Sequence, residues 1–153
     1  MKKVTYIWLV IGIVAVAILF TLAFISRPVS VCDLLGEESY GILAISSDLD
    51  LYKGEYSDNE KAELLSCLEK YQVRRAWLAN RTYSIPFGKK MYNIYIGSKR
   101  GDGTYVEVYL CEGERPRFDL HLGTKESVRI YEALSGEENT TEQLLNALKE
   151  IIE

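Results

Sequence analysis

Few residues in this chain are equipped for chemistry. There is one histidine, His121, and there are three cysteines, Cys32, Cys67 and Cys111. In "FDLHLG", which starts at Phe118, His121 alternates with Asp119, so on a strand the two share a face. A metal site needs three or four converging His, Cys or carboxylate side chains, and no spacing here supplies them. A Ser-His-Asp or Cys-His nucleophile would have to use His121, and no nucleophile elbow or related motif supports one. The expectation is a solvent-facing strand histidine, with no catalytic residue, no metal and no cofactor.

The cysteines show no C-x-x-C spacing. Outside a cell, two of the three could pair and leave one free; the preferred reading is three thiols, with Cys67 as a small buried hydrophobe on a helix. The tripeptide "RGD" at Arg100 to Asp102 lies inside "KRGDGT", where Gly-Asp-Gly is turn chemistry. "NRT" at Asn80 and "NTT" at Asn139 match glycosylation acceptors, which matter only in a eukaryotic secretory route.

Charge is the most informative asymmetry. Between Lys70 and Val106 there are eight basic residues, Lys70, Arg74, Arg75, Arg81, Lys89, Lys90, Lys99 and Arg100, against one acid, Asp102. Trp77, Tyr83, Phe87, Tyr92 and Tyr95 are interleaved with them. Arg74, Arg75, Trp77, Arg81, Lys89, Lys90, Lys99 and Arg100 are therefore the candidate partner-binding residues, a basic-aromatic surface for an anionic envelope polymer, lipid headgroups or an acidic protein. The competing reading is a solvated sheet face partly paired with acidic helices.

These residues must be positioned by elements that the hydrophobic pattern defines. The longest apolar run begins at Val4 and ends at Ser26, without a charge. Twenty-three residues make roughly 35 Å of helix, enough to cross a hydrocarbon core of about 30 Å. Fourteen of them are Val, Ile, Leu or Phe, each favouring insertion. Lys2 and Lys3 precede the run; Arg27, Asp33, Glu37 and Glu38 follow it. The positive flank puts the N-terminus in the cytoplasm and the rest outside, in the cell membrane as a single-pass protein. On this reading only "MKK" lies inside, and a cytoplasmic catalytic domain is not expected.

The stretch "SRPVSVCDLLG" after the run invites a processing reading. "AVA" from Ala15 and "TLA" from Thr21 lie within or before more apolar residues, which suits a signal peptidase poorly, although cleavage after Ala23 stays open. Lipidation needs a small residue before the cysteine, and Val31 precedes Cys32. The preferred reading is a retained signal anchor whose helix stops at Pro28.

Past Ser26 there are 16 Lys/Arg and 22 Asp/Glu, a formal charge of −6, which argues against general nucleic-acid binding. The expected domains are residues 1–26 as stub and anchor, 27–38 as linker, and 39–153 as one outer domain. "EESYGILAISS" and "DLDLYK" read as strand, and "SDNE" from Ser57 as a capping box opening a helix with Leu64, Cys67, Leu68 and Tyr71 on one face. Residues 73–85, "MYNIYIG", "TYVEVYLC" and "FDLHLG" read as four strands with tight turns. "TKESVRIYEALSG" reads as a helix from Lys125, or as an edge strand, and the last 15 residues as a helix striped by Leu144, Leu145, Leu148, Ile151 and Ile152. The sum is β-α-β-β-β-β-α-α, class α+β: an antiparallel sheet of about 4–5 strands with helices on one face. From Tyr40 to Leu134, this order and "YNIYIG…TYVEVYL" resemble the small membrane-anchored outer domains of uncharacterised bacterial proteins. That resemblance implies an extracytoplasmic α+β domain and brings no catalytic residues with it.

The functional expectation is a membrane-anchored binding or interaction module rather than an enzyme. It meets the bilayer through its helix and a protein or anionic partner through its domain. The alternative is an accessory or immunity-type protein that acts on another membrane protein through the helix itself. Small residues (Gly12, Ala15, Ala17, Ala23) permit close helix packing there, without a GxxxG. Oligomeric state is not legible.

Overall fold

The computed structural model describes residues 2–36, 40–47, 50–52, 56–76, 87–98, 101–123, 127–134 and 138–152. Helix α1 (Lys2–Ile25) is followed by β1 (Val29–Ser30), a 3-10 turn (Cys32–Leu35), β2 (Tyr40–Ser47), β3 (Asp50–Tyr52), α2 (Asp58–Glu69) and β4 (Gln72–Arg75). Then come β5 (Met91–Ser98), β6 (Tyr105–Cys111), β7 (Arg117–His121), β8 (Val128–Ala133) and α3 (Glu138–Ile152). The class is α+β.

The eight strands form one antiparallel sheet in the order β1-β4-β8-β7-β6-β5-β2-β3. This corrects the expected count of 4–5. Strand β1 has only two residues, too short for a periodic signal, and "DLDLYK", expected as strand, holds the separate three-residue β3. The larger correction is "VRIYEA", expected as part of a helix from Lys125, which is β8 in the middle of the sheet. Its Val, Ile and Tyr favour extended backbone. Both β7 and β4 would otherwise present an unpaired ladder, and β8 satisfies the two at once.

The residues expected as a linker also enter the fold. Val29 and Ser30 pair with Val73 and Gln72, Val31 is fully buried, and the Val31 N–H donates to the Tyr71 carbonyl at 3.3 Å.

Helix α2 starts where the capping box places it. Glu60 N–H donates to Ser57 Oγ at 3.3 Å, and Ser57 N–H donates back to Glu60 Oε2 at 2.6 Å. The Ser57 hydroxyl also donates to Glu60 Oε2 at 2.6 Å, and this bond first, with the Ser57 N–H bond second, holds the Glu60 carboxyl below its ordinary pKa. Leu64, Cys67 and Leu68 of α2, with Leu144, Leu145 and Leu148 of α3, bury against Ile94 and Ile96 of β5, Val106 and Val108 of β6, and Phe118 of β7. One sheet face is thereby the core face. Tyr71 closes it: its ring lies 5.5 Å from that of Phe118, and its hydroxyl donates to Thr141 Oγ1 at 2.8 Å, joining the end of α2 to α3.

Helix α1 stands apart from this core. Its apolar side chains are exposed around its whole circumference, Leu19 at 66% and Phe20 at 77%. The stretch Thr5–Ile25 is long and apolar enough to cross a membrane.

Candidate functional site

Strand alternation sends the other set of side chains to the face opposite the core. In register across the sheet, one row there reads Arg74, Glu132, Arg117, Tyr109, Asn93, Ser46. The next reads Ile130, Asp119, Glu107, Tyr95, Ala44, and the third Val128, His121, Tyr105, Gly97 and Gly41. An antiparallel sheet with one face on a core commonly leaves the other solvated. Here Asn93, Glu107, Arg117 and Asp119 are all buried, none above 9% exposed.

Burial of such groups demands partners. Arg117 gives Asp119 a bidentate pair, Nε to Oδ1 and Nη2 to Oδ2, both 2.7 Å. Asn93 Nδ2 donates to Glu107 Oε1 at 2.9 Å. The His121 ring stacks on Tyr105 with centroids 4.3 Å apart and 7° between planes, and its Nε2 lies 3.4 Å from Glu107 Oε2. Among the described residues, that nitrogen and Asn93 Oδ1 find no hydrogen-bond partner. His121 is thus not the solvent-facing residue expected; a stacked tyrosine and a neighbouring-strand carboxylate enclose it. Tyr95, Tyr105 and Tyr109 ring the same cluster. Burial first, then the Glu107 charge or its hydrogen bonding, pushes the Tyr105 and Tyr109 hydroxyls above the ordinary phenol pKa. Burial is also the largest cause for Tyr95, which is raised too.

Ser46, on the same face, sits on β2, three strand spacings or roughly 14 Å from β7 along the sheet. Its hydroxyl is too far for the imidazole to take its proton. Among the described residues no three His, Cys, Asp or Glu side chains converge to hold a metal. Cys32, Cys67 and Cys111 are buried free thiols, and burial raises the pKa of Cys67 and Cys111. In the "GDG" turn, Asp102 Oδ1 accepts from the Thr104 N–H at 2.8 Å, and Gly101 and Gly103 have φ of 70° and 75°. The turn reading of that stretch stands.

Of the expected basic-aromatic set, the structure describes Arg74, Arg75, Phe87, Lys89, Lys90, Tyr92 and Tyr95. Trp77, Arg81, Lys99 and Arg100 lie outside the described residues, as does Tyr83. Arg74 and Arg75, adjacent on β4, point to opposite faces, Arg74 exposed and Arg75 half-buried. Lys89 and Lys90 precede β5, four strand spacings from β4 and at the other end of the sheet. Lys89 Nζ donates to the Glu112 carbonyl at 2.8 Å and pairs with Glu114 at 3.4 Å; Lys90 lies 5.4 Å from the Tyr92 ring centroid. The described members of the positive run are separated in space, Arg74 from Arg75 by the alternation of β4, and both from Lys89 and Lys90 by the strands that lie between β4 and β5.

A groove of about 570 Å³ lies between the β6–β7 turn and α3, lined by Glu112, Glu114, Arg115, Leu145, Asn146 and Lys149. Its charges are mixed, which gives it no preferred ligand sign. What the fold and these sites define is an α+β domain with a buried polar sheet face, joined to an apolar helix. Comparison with protein-family models, with curated proteins and with solved structures gave no match.

Proposed function

We propose that this chain is a single-pass membrane protein, N-terminus in the cytoplasm and domain outside, whose domain works at the bilayer surface as a binding and interaction module rather than as an enzyme. The observation that carries the reading is α1. Its apolar side chains are exposed on every side, and the other described residues offer them no cover. Leaving that surface in water costs roughly 25 cal/mol per Å², so a non-aqueous environment is its natural place. The buried polar face favours a scaffold over catalysis, because its groups are engaged with one another, Arg117 with Asp119 and Asn93 with Glu107, instead of being aimed at a substrate.

The experiment has two arms. After alkaline carbonate extraction of membranes the chain is expected in the pellet, and protease added to sealed, right-side-out vesicles is expected to digest the domain. A chain in the supernatant, or a domain protected in intact vesicles, overturns the anchor or its orientation. Replacing residues 4–26 with an unrelated membrane helix is expected to leave crosslinked partners unchanged. Their loss transfers the function to the helix, as an accessory or immunity-type protein would require.

A further inference from the structure

Among the described residues no large apolar side chain is more open to water than Phe87, 106% exposed; even those of α1 are less so. It sits on a tight turn with Gly88, whose φ is 77°. That turn is held in place. Lys89 Nζ donates to the Glu112 carbonyl at 2.8 Å and pairs with Glu114 at 3.4 Å, which ties it to the β6–β7 turn. Glu112 and Glu114 also line the groove of about 570 Å³ between that turn and α3. Buried Pro116, Ala133 and Leu145 give the groove an apolar floor. Its rim carries both signs, Glu142 with Arg115 and Lys149, which suits an apolar anchor better than a charged ligand. Ring and groove are thus neighbours on either side of one turn. They also share one end of the sheet. Strand β4 runs back toward the helix exit because it is antiparallel to β1. The pairings from β8 to β5 then put Val128, His121, Tyr105 and Gly97 at the exit end, and Ala133, Arg117, Cys111 and Met91 at the other. Along β5 the two ends are about 20 Å apart. Phe87 and the groove both belong to the distal one, which favours a protein partner over the chain's own bilayer.

We propose that this distal end is a self-association surface: two copies anchored in one membrane stand side by side, and each inserts Phe87 into the other's groove. The proposal rests on the anchored reading above. Copies inserted the same way round are related by a two-fold axis along the membrane normal, which keeps each residue at the same height in both. Such an axis joins only features of equal height, and the register gives Phe87 and the groove that property. Their closeness within one copy matters as well. In an isologous contact the axis runs between knob and hole, so both insertions form together. The charges are complementary. Lys90 is exposed beside the ring, where it approaches the Tyr92 ring at 5.4 Å, and Glu142 is exposed on the groove rim. Neither has an ion pair among the described residues. Lys89, already bonded within its own chain, plays no part. An aromatic side chain buries about 150–250 Å², so the exchange makes a contact smaller than the roughly 1,200 Å² of a stable soluble complex. Confinement of both copies to one bilayer raises their effective concentration, and a small contact then suffices.

The test uses full-length chains with two different tags, reconstituted together in phosphatidylcholine vesicles at low protein density. One copy carries K90C and the other N146C, on the groove rim, so one Lys90–Glu142 pair stays intact. A short bis-maleimide joins the two; the three native thiols are buried. The expected product is a mixed-tag dimer. K90C with R129C, exposed at the helix-exit end, is expected to give roughly tenfold less or lower. F87A in both copies is expected to cut the K90C–N146C product about thirtyfold, as loss of a hot-spot aromatic does, and F87L to keep most of it. Because Phe87 is exposed, the far-UV circular dichroism of F87A should match that of the native chain. Exchanging residues 4–26 for an unrelated membrane helix is expected to leave the product in place. No mixed dimer from inserted chains, equal products from the two pairs, or a product indifferent to F87A overturns the contact while the anchor stands. Loss of the product with the exchanged helix moves association to α1 and overturns it too. A chain released from the vesicles by carbonate overturns the anchor and the proposal together.

Discussion

The pair Arg117–Asp119 is the sharpest point at which the buried polar face can be tested. Its two side chains are 10% and 6% exposed and share two bonds of 2.7 Å. Asp119 also stands directly opposite Glu107 on β6, so two carboxylates occupy opposed positions with the Arg117 guanidinium paired to one of them. Removing one partner of a buried pair costs about 3–5 kcal/mol, because the other is left uncompensated. For D119N the orphan is Arg117, which keeps its approach to the Tyr109 ring at 5.7 Å, and the Glu107–Asp119 repulsion is relieved. The expected cost is therefore at the low end, about 3 kcal/mol. For R117M the two carboxylates stay face to face, which puts the expected cost at the high end, about 5 kcal/mol. In a domain of this size a kcal/mol moves the melting temperature by about 4 °C, so the shifts are roughly 12 and 20 °C. R117M/D119L, which removes both charges, is expected to recover most of the loss. The assay is thermal unfolding of the full chain in detergent, followed by far-UV circular dichroism at pH 7. Costs under 1 kcal/mol for both single variants, or a double variant no better than R117M, would refute the claim that this face is held by mutual charge compensation.

Other outcomes follow from the same geometry. Cys67 and Cys111 have raised thiol pKa values and all three cysteines are buried. Iodoacetamide at pH 8 is thus expected to leave the folded chain unmodified and to add three groups after denaturation, read by intact mass; rapid labelling of the native chain would contradict this. Tyr95, Tyr105 and Tyr109 hold their protons above the free-phenol range. For a group whose folded pKa is raised, the stabilisation is complete below the unfolded value of about 10 and is lost as pH rises through the folded one. Absorbance at 295 nm should accordingly show these phenols ionising only together with unfolding, in a steep step above pH 10. Smooth, non-cooperative titration of all eleven tyrosines would count against it. Tyr71→Phe and Thr141→Val each break the buried hydroxyl bond between α2 and α3, and about 1 kcal/mol of stability should go with it. The double variant should cost less than the two summed, and simple additivity in urea unfolding would show that the bond is not shared.

Local signals were legible wherever a short-range rule applied. The capping box at Ser57 and Glu60 is satisfied within four residues, and the tight turn at Gly101 to Gly103 needs only its own backbone angles. The stripe on α3 and the runs of β5, β6 and β7 needed nothing beyond their periodicity. The segment from Val128 to Ala133 was ambiguous because its pattern suits helix or strand, and the vacancy between β7 and β4 decided it. For the described part of the basic run, proximity along the chain says little, because Arg74 and Arg75 face opposite ways and β4 and β5 lie four strands apart.

By itself, the sequence determined the apolar helix, the α+β class, the main helices and the core stripe, since these follow from composition and from periods of 3.6 and 2. Tertiary structure alone decided which polar residues share a face. His121, Glu107 and Asn93 are distant in sequence and carry no motif; the register of three strands brings them together. It alone also set the Phe87 turn beside the groove, because Lys89 reaches the β6–β7 turn across two strands and no pattern in its own residues announces that contact.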